Sequence, residues 1–163
     1  MDEFIKLAKN SIEYFLENKN YLDVKTKNYD KNHNGVFVEI YKNGLLRSIS
    51  GESLPVRKNI LYDIIYESVK AAFFTKKSDP ITKENLKEIK IVVKEIYDLE
   101  IINFLDETDD FDGLELTYQN NTFTLFLENY KNKEELLKDL LKKSNVDSWD
   151  IFILKKFKVI KHI

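Results

Sequence analysis

The sequence contains no cysteine among its 163 residues. This absence excludes disulfides, thiolate zinc sites, iron–sulfur clusters and cysteine nucleophiles, and it fits a reducing compartment. No apolar run approaches the ~20 residues that a membrane-spanning helix needs. The charged, periodic N-terminus MDEFIKLAKNSIEYF does not resemble a secretory signal peptide. The sequence therefore predicts a cytoplasmic protein without a membrane span.

A strong imbalance of charge is also missing. The chain has 26 Lys+Arg against 28 Asp+Glu, a formal net charge of −2, so nothing favours a nucleic-acid partner or an anionic membrane surface. Hydrophobic residues make up 43% of the chain and aromatic residues 13%. That content supplies a sizeable core and excludes general disorder. We expect a single domain over residues 1–163.

Three segments carry apolar residues at helical spacing, in residues 4–16, in residues 60–73 and in KEELLKDLLKK, and each predicts an amphipathic helix. A shorter segment, KENLKEI, follows one of only two prolines and is predicted to be a helix capped by Thr82. The expected total is three to four helices.

The strands are predicted from turn residues and alternation. Asn43-Gly44, between GVFVEIY and LLRSIS, predicts a hairpin because both turn residues tolerate positive φ. LELTYQNNTFTLFL predicts a second hairpin that turns at residues 119–121, and IKIVVKEIYDLEI and DIFILKKFKVIKH predict two further strands. Adjacent hairpins favour a mainly antiparallel sheet, so the predicted class is α+β.

Motifs for nucleophiles, phosphates and dinucleotides are incomplete or missing. Ser50 lies in the string Ser-Ile-Ser-Gly-Glu, where Ser48 and Glu52 occupy the positions at which a nucleophile elbow needs glycine. The sequence has no Gly-Lys-Ser/Thr string and no dinucleotide-binding glycine pattern. The two histidines, His33 and His162, are predicted to be solvated. We therefore predict neither a catalytic set nor a cofactor.

The acidic loop DETDDFDG does not fit the calcium loop of an EF-hand. With Gly113 at the sixth position, Thr108 and Gln119 occupy the first and last positions, where carboxylates are required. The acidic residues open to a loose cation contact are Asp106, Asp109, Asp110 and Asp112. A solvated acidic turn is the favoured interpretation, and no metal site is predicted.

Most aromatic residues fall on predicted core faces. We expect Phe73, Phe104, Phe126 and Phe157 to pack in the core, and Trp149 to anchor the link between a helix and the last strand. With no basic face beside these rings, base stacking on nucleic acid is not indicated.

Both arginines of the chain lie in one stretch, YKNGLLRSISGESLPVRK. The planar fork of an arginine binds a carboxylate or phosphate bidentately, which lysine cannot do. Two interpretations stay open: a cleft that accepts an anion or a peptide, or arginines that hold the hairpin to internal carboxylates and carbonyl groups. Arg57 precedes a helix whose first N–H groups add donors, and alternation places the hydroxyls of two serines on one face. The candidate binding residues are Arg47, Ser48, Ser50, Gly51, Glu52 and Arg57.

The same stretch carries a family resemblance. GVFVEIYKNGLLRSISG is similar to the strand–turn–strand string of the AMMECR domain family, which ends in Leu-Arg-Gly-Cys-Ile-Gly. The matching residues are Gly35, Val36, Phe37, Val38, Gly44, Leu46, Arg47 and Gly51. The likeness continues in order through AAFF, DPITKENLKEIKIVV, GLEL, TLFL and SNVDSW, and it covers about residues 1 to 160.

The sequence departs from the family pattern at two places. Residues 48–50, Ser-Ile-Ser, stand where the family has Gly-Cys-Ile, and residues 127–129, Leu-Glu-Asn, replace a Leu-Pro-Gln segment. Any chemistry of the family cysteine is therefore lost. The chain is identified as a diverged, short member of the family.

The resemblance implies an antiparallel sheet packed with helices into two lobes around a cleft. The biochemical role of the family is undefined, but its members occur beside or fused to Memo-like and radical SAM proteins, which implies a shared modification pathway. The leading hypothesis is a non-catalytic binding or adaptor domain with a protein or peptide partner. The alternative is an enzyme that acts on a small anionic substrate, with Arg47 as anion clamp and Glu39 or Glu52 as acid/base. The oligomeric state does not follow from the sequence.

Overall fold

The computed structural model describes residues 2–25, 32–76, 78–106, 110–147 and 149–163. The α-helices are α1 (Glu3–Asn18), α2 (Ile60–Phe73) and α3 (Lys133–Ser144). The strands are β1 (Gly35–Lys42), β2 (Leu45–Glu52), β3 (Ile89–Ile102), β4 (Gly113–Tyr118), β5 (Asn121–Phe126) and β6 (Ile153–His162).

The six strands follow the order β2-β1-β3-β6-β4-β5 in one sheet. Strand β1 pairs antiparallel with β2 and β3, and β4 pairs antiparallel with β5 and β6. The predicted α+β class is therefore confirmed, and so is the predicted order of helices and strands. None of the helices in the described ranges has the length and apolar character needed to cross a membrane.

Polar side chains cap the three α-helices. Asp2 accepts a hydrogen bond from the Phe4 N–H at 2.8 Å at the start of α1. Asn59 and Asn132 do the same for the third residues of α2 and α3, which satisfies donors that each helix leaves unpaired. The helix predicted to begin at Thr82 is a single 3₁₀ turn, Asn85–Lys87, without a side-chain cap. The predicted short helix is thus present as one turn, but the predicted cap is not, and the Thr82 N–H donates to the Asn85 side chain.

Both predicted hairpin turns are present. Asn43 and Gly44 have φ values of 53° and 78°, in the left-handed region that this dipeptide tolerates. Gln119 and Asn120 also have positive φ, 47° and 63°, and they link β4 to β5.

The chain divides into two compact units, of which unit 1 comprises Met1–Ile96 with Ile160–Ile163. In unit 1, α1 packs on α2, and α2 packs on β1 and β2. Alternate residues of β1 and β3 point into this core. The fully buried apolar residues here include Ala8, Ile12, Val38, Ile40, Ile64, Ala71 and Val93.

Unit 2 comprises Tyr97–Val159, and in it α3 packs on β4 and β5. Its buried cluster consists of Phe111, Leu114, Leu116, Leu136, Leu140 and Leu154. Phe126 and Phe157 are buried, as predicted, and form an edge-to-face pair with centroids 5.6 Å apart. Phe104 and Trp149 are 72% and 93% exposed, so their assignment to packing roles was wrong. Both lie in connecting segments, where no periodic face forces an apolar side chain inward.

Candidate functional site

A β-bulge in β2 sets the position of Arg47. Ile40 lies opposite Ser48 and Tyr41 lies opposite Leu46, so Arg47 is the extra residue on the bulged strand. A bulge of this kind bends the strand locally and re-aims the side chain of the inserted residue. The direction of the Arg47 side chain therefore does not follow from the regular alternation of the strand.

The guanidinium of Arg47 has a buried donor atom that is not used within the described residues. Its Nη1 atom is buried and has no hydrogen-bond partner among the residues that the structure describes. Burial lowers the pKa of Arg47, and the charge of Asp79 opposes that shift. The neighbouring Ser48 Oγ is also buried and, in the described part of the chain, has no hydrogen-bond partner. Since an unsatisfied buried polar group costs about 1–3 kcal/mol, these two residues form a spot with unused hydrogen-bonding capacity.

Arg57, in contrast, is bound to carboxylates of α2. Its Nη1 lies 2.8 Å from Asp63 Oδ1 and 3.3 Å from Glu67 Oε1. Asp63 also accepts the backbone N–H groups of Val56 and Arg57, at 3.2 and 3.1 Å. Both carboxylates are buried. The anionic partners of Arg57 are therefore carboxylates of the protein itself, and the arginine stabilises the segment that leads into α2.

Ser50 and His33 extend this network. Ser50 Oγ donates to Glu67 Oε2 at 2.5 Å. His33 Nε2 lies 3.1 Å from the Arg57 carbonyl oxygen and 3.6 Å from Asp63 Oδ2. The His33 side chain is only 5% exposed, so the prediction of a solvated histidine was wrong.

His162 is half-buried as well, and the same prediction was wrong for it. Its Nδ1 lies 3.0 Å from Asp2 Oδ2 and its Nε2 lies 2.7 Å from Glu95 Oε1. Burial opposes protonation of the ring, but the hydrogen bonds to the two carboxylates prevail and raise the pKa of His162. Two ring nitrogens with acidic partners explain why this histidine lies against the protein.

Gly51 and Glu52 have different surroundings. Gly51 lies opposite Phe37, and a Cβ at this position would overlap the Val36 carbonyl oxygen and the Phe37 side chain. The glycine is therefore required for close packing of the two strands. Glu52 is exposed at the end of β2, and no ion pair joins it to Arg47 within the described residues.

The face of β1 opposite the helices carries a buried ion pair that sequence reasoning missed in part. Lys94 Nζ lies 2.6 Å from Glu39 Oε1, and both side chains are fully buried. The Tyr41 hydroxyl donates to Glu39 Oε2 at 2.9 Å. Ile49, at the position where the family resemblance has cysteine, lies opposite Glu39 in the strand register. Only Glu39 was among the sequence candidates. The available signal was a charged residue inside an otherwise apolar run of each strand, Glu39 in β1 and Lys94 in β3.

A cavity of about 490 Å³ lies beside Tyr41 at the β1–β2 turn. It is lined by Tyr41, Asn43, Gly44, Glu88, Lys90, Val92, Lys161 and Ile163. Strand alternation and register place Lys90, Val92 and Lys94 on the same face of the sheet as Glu39 and Tyr41.

A second cavity of unit 1, of about 500 Å³, lies beside Arg57. Its lining residues are Tyr21, Leu22, Asp23, Arg57, Lys58, Tyr62, Ile65 and Tyr66. The rings of Tyr21 and Tyr66 stack in parallel with centroids 4.2 Å apart, and Arg57 lies 3.7 Å from the centroid of Tyr66. Burial, with a hydrogen bond to Tyr66, raises the pKa of Tyr21 to about 12. Tyr21 therefore keeps its proton at ordinary pH, and both stacked rings already have partners on their faces.

The acidic turn of unit 2 is engaged by the protein itself. Asp110 lies 2.6 Å from Lys158 Nζ, and Asp112 Oδ2 accepts the Val159 N–H at 2.9 Å. Asp109 and Thr108 lie outside the described residues. Among the residues that the structure describes, no group of three or more acidic or histidine side chains could hold a metal ion.

The AMMECR1 family model matches residues 5–162 of this chain. The chain belongs to the AMMECR1 family. Protein CA_C1420 of Clostridium acetobutylicum is 27% identical over 167 residues, a region that covers 99% of this chain and 36% of that protein. The chain thus spans about a third of the length of the curated relative that it matches.

A solved structure shares the fold. The crystal structure of the uncharacterized protein PH0010 from Pyrococcus horikoshii superposes with a TM-score of 0.82 at 18% sequence identity, and the match covers 97% of this chain and 88% of that chain. At this level of identity the likeness establishes the architecture alone.

Proposed function

We propose that this AMMECR1-family chain is a non-catalytic binding domain that takes an extended segment of a protein partner along the free edge of β2. Strand β2 lies at one end of the strand order and pairs only with β1 in the described part of the chain. Leu45, Leu46 and Ile49 expose apolar side chains along it. An exposed strand edge with apolar side chains is the surface to which an added peptide strand binds.

The contrast between the two arginines is the observation that carries this proposal. Arg57 is bound to Asp63 and Glu67, whereas the Arg47 side chain makes no hydrogen bond or ion pair within the described ranges. A partly buried arginine on an edge strand can bind a carboxylate or two carbonyl oxygens of an incoming peptide. The partner segment is therefore expected to combine apolar residues at alternate positions with an acidic group near Arg47.

The geometry gives less support to an enzyme built on Arg47. Glu39 is buried against Lys94, Glu52 is exposed, and Arg47 lines neither of the two cavities of unit 1 described above. A general acid or base needs to reach a bound substrate, and neither carboxylate is placed with Arg47 to do so.

Family context supports the adaptor role. The resemblance to proteins that occur beside or fused to Memo-like and radical SAM proteins points to a partner from such a modification pathway. The 36% coverage of the Clostridium protein leaves room for further domains in that relative. We also infer that residues 1–163 act as one AMMECR domain made of two compact units, since the family match spans both.

The test is selection of binders from a displayed library of random linear peptides, followed by calorimetry with purified peptides. Arg47→Ala is expected to raise the Kd of the selected peptides about tenfold, which corresponds to about 1.4 kcal/mol of binding free energy. The peptide affinity of Arg47→Lys is expected to lie between those of the wild type and Arg47→Ala, because an ammonium group cannot bind bidentately. Binding should slow hydrogen exchange of backbone amides in β2.

Lys138→Ala is the matched control, because it removes the same charge from an exposed position on α3. It should bind the peptides like the wild type. If Arg47→Ala and the wild type bind equally, or if protection appears away from β2, the proposal is wrong.

A further inference from the structure

The cavity beside Arg57 has the size of a small-molecule site. Its volume of about 500 Å³ falls within the range of about 300–1,000 Å³ that is typical of ligand pockets. Its walls come from residues 21–23, which follow α1, and from residues 57–66, which lead into α2 and form its first half. The cavity is separate from the β2 edge proposed above, since its described lining residues include none from β2.

The walls of this cavity are mainly apolar and aromatic. Their uncharged side chains are those of Tyr21, Leu22, Tyr62, Ile65 and Tyr66. The Tyr66 ring has contacts from Tyr21, with centroids 4.2 Å apart, and from Arg57 at 3.7 Å, so its edge is the part left for a ligand. The edge of an aromatic ring is its positive part and attracts the negative face of a second ring. An aromatic group of a ligand therefore fits these walls.

Two opposite charges are held against one lining residue, Tyr62. Lys58 Nζ lies 4.0 Å from the centroid of the Tyr62 ring. The Tyr62 hydroxyl donates to Asp23 Oδ1 at 3.0 Å and to the Val24 carbonyl oxygen at 2.9 Å. Lys58 and Asp23 both line the cavity. Since one charge lies over the ring and the other at its hydroxyl, the two are separated by about the size of one phenol group.

Both charges have capacity for a ligand. Lys58 and Asp23 are exposed, and no salt bridge joins either of them to a charged side chain within the described residues. An ammonium group has three donors, and a carboxylate that accepts one hydrogen bond has lone pairs for others. Arg57, the third charged residue of the lining, is already bound to Asp63 and Glu67. In the described part of the chain, the cavity thus offers a cation and an anion beside an apolar wall.

We propose that this cavity binds a free α-amino acid with an aromatic side chain. The carboxylate of the ligand contacts Lys58, its ammonium group contacts Asp23, and its ring lies against Leu22 and Ile65. An α-carboxyl group and an α-amino group are both charged at neutral pH, so one small ligand satisfies both protein charges. An aromatic acid or an aromatic amine leaves one of these charges unused, which makes the cavity selective for the zwitterion.

The test uses three probes that share a phenyl group. They are phenylalanine, 3-phenylpropanoate, which lacks the ammonium group, and 2-phenylethylamine, which lacks the carboxylate. Each is titrated into the isotopically labelled chain and followed by ¹H–¹⁵N NMR. Phenylalanine is expected to give saturable shifts at the amides of residues 21–24 and 57–66. Its Kd should be several-fold lower than that of either analogue, the scale expected for the loss of one exposed ion pair.

Four variants separate the two charges from each other and from diffuse charge. Asp23→Asn keeps an acceptor for the Tyr62 hydroxyl and is expected to abolish the preference for phenylalanine over 3-phenylpropanoate. Lys58→Ala is expected to abolish the preference over 2-phenylethylamine. Each variant should retain the other preference. Lys87→Ala and Glu3→Gln remove single charges from exposed positions outside the cavity lining, and they are expected to change neither preference.

Each contrary result overturns the proposal. Absence of saturable shifts in the two segments would exclude a site at this cavity. Equal affinities for the three probes, or cavity variants that behave like their charge controls, would exclude recognition of the two charges. Tighter binding of the dipeptides Phe-Gly or Gly-Phe than of phenylalanine would assign the cavity to a peptide terminus. The dispersion of the NMR spectrum shows for each variant that the chain is folded.

Discussion

Among individual residues, Glu39 and Lys94 lie on neighbouring strands with their charged atoms 2.6 Å apart and with both side chains fully buried. Both charges are shielded from water, and Glu39 binds Lys94 through one oxygen and accepts the Tyr41 O–H through the other. In such a pair the loss of one partner is more damaging than the loss of both, because a single buried charge is left uncompensated.

We therefore expect Lys94→Met to destabilise the protein by about 3–5 kcal/mol, the range found when one member of a buried pair is removed. The double variant Glu39→Leu with Lys94→Met should recover most of this loss, because no buried charge remains. The measurement is urea denaturation at neutral pH, with the midpoint and slope compared among the variants.

Lys90→Met serves as the control for this pair, since it makes the same substitution at an exposed position of β3. Its free energy of unfolding should change by no more than about 0.5 kcal/mol, as is usual for a surface substitution. A double variant that is as unstable as Lys94→Met would show that the loss comes from packing and not from an unpaired charge.

At the scale of secondary-structure elements, one side chain at the end of β6 joins two other segments of unit 1. His162 binds Asp2, the residue that caps α1, and Glu95 on β3. These contacts raise the pKa of His162 above its ordinary value of 6.5, and the hydrogen bond to His162 lowers the pKa of Asp2. The protonated histidine therefore stabilises the folded chain.

A raised pKa in the folded state fixes the sign of the pH dependence. The stabilisation by His162 is fully present below the unfolded pKa of about 6.5, and it is lost as the pH rises through the higher folded value. In His162→Gln the wild-type advantage should be present at pH 5.5 and shrink by pH 8.5. The expected difference is at most about 1 kcal/mol, because partly exposed ion pairs are worth little.

Urea denaturation of both proteins across this pH range provides the measurement. Asp2 contributes in the opposite direction, since a lowered pKa gives stability that is lost only as the pH falls through acid values. A wild-type advantage that grows between pH 6 and pH 8 would contradict the assignment.

The elements themselves were largely predictable, and their side-chain partners were not. Helical spacing in residues 60–73 and the Asn43-Gly44 turn are local signals, and both elements formed where expected. The bulge at Arg47 depends on how β1 and β2 pair, which no local pattern encodes. The bulge sets the direction of the Arg47 side chain, which makes no ion pair with a described residue, whereas Arg57 binds Asp63 only six residues away.

For the whole molecule, the sequence pattern indicated the α+β class and the family resemblance implied two lobes, but neither placed the boundaries of the two units. That division follows from contacts between distant segments, such as the return of Ile160–Ile163 to unit 1 after unit 2 is complete. Sequence separation also explains why only Glu39 of the buried pair was predicted, since Glu39 and Lys94 are 55 positions apart. Contacts of this kind depend on strand register, which hydrophobic patterns specify only weakly when both faces of a strand are buried.

Because each unit has its own buried cluster, we expect the two units to respond separately to core substitutions. Leu140→Ala in α3 should remove about 2–5 kcal/mol of stability, the usual cost of truncating a buried leucine, and native-state hydrogen exchange should show the loss mainly at amides of β4. Ile64→Ala in α2 should show it mainly at amides of β1. The two variants control for each other, since both truncate a fully buried aliphatic residue on a helix. Equal loss of protection in both strands from either variant would mean that the chain unfolds as one cooperative body, despite its two separate cores.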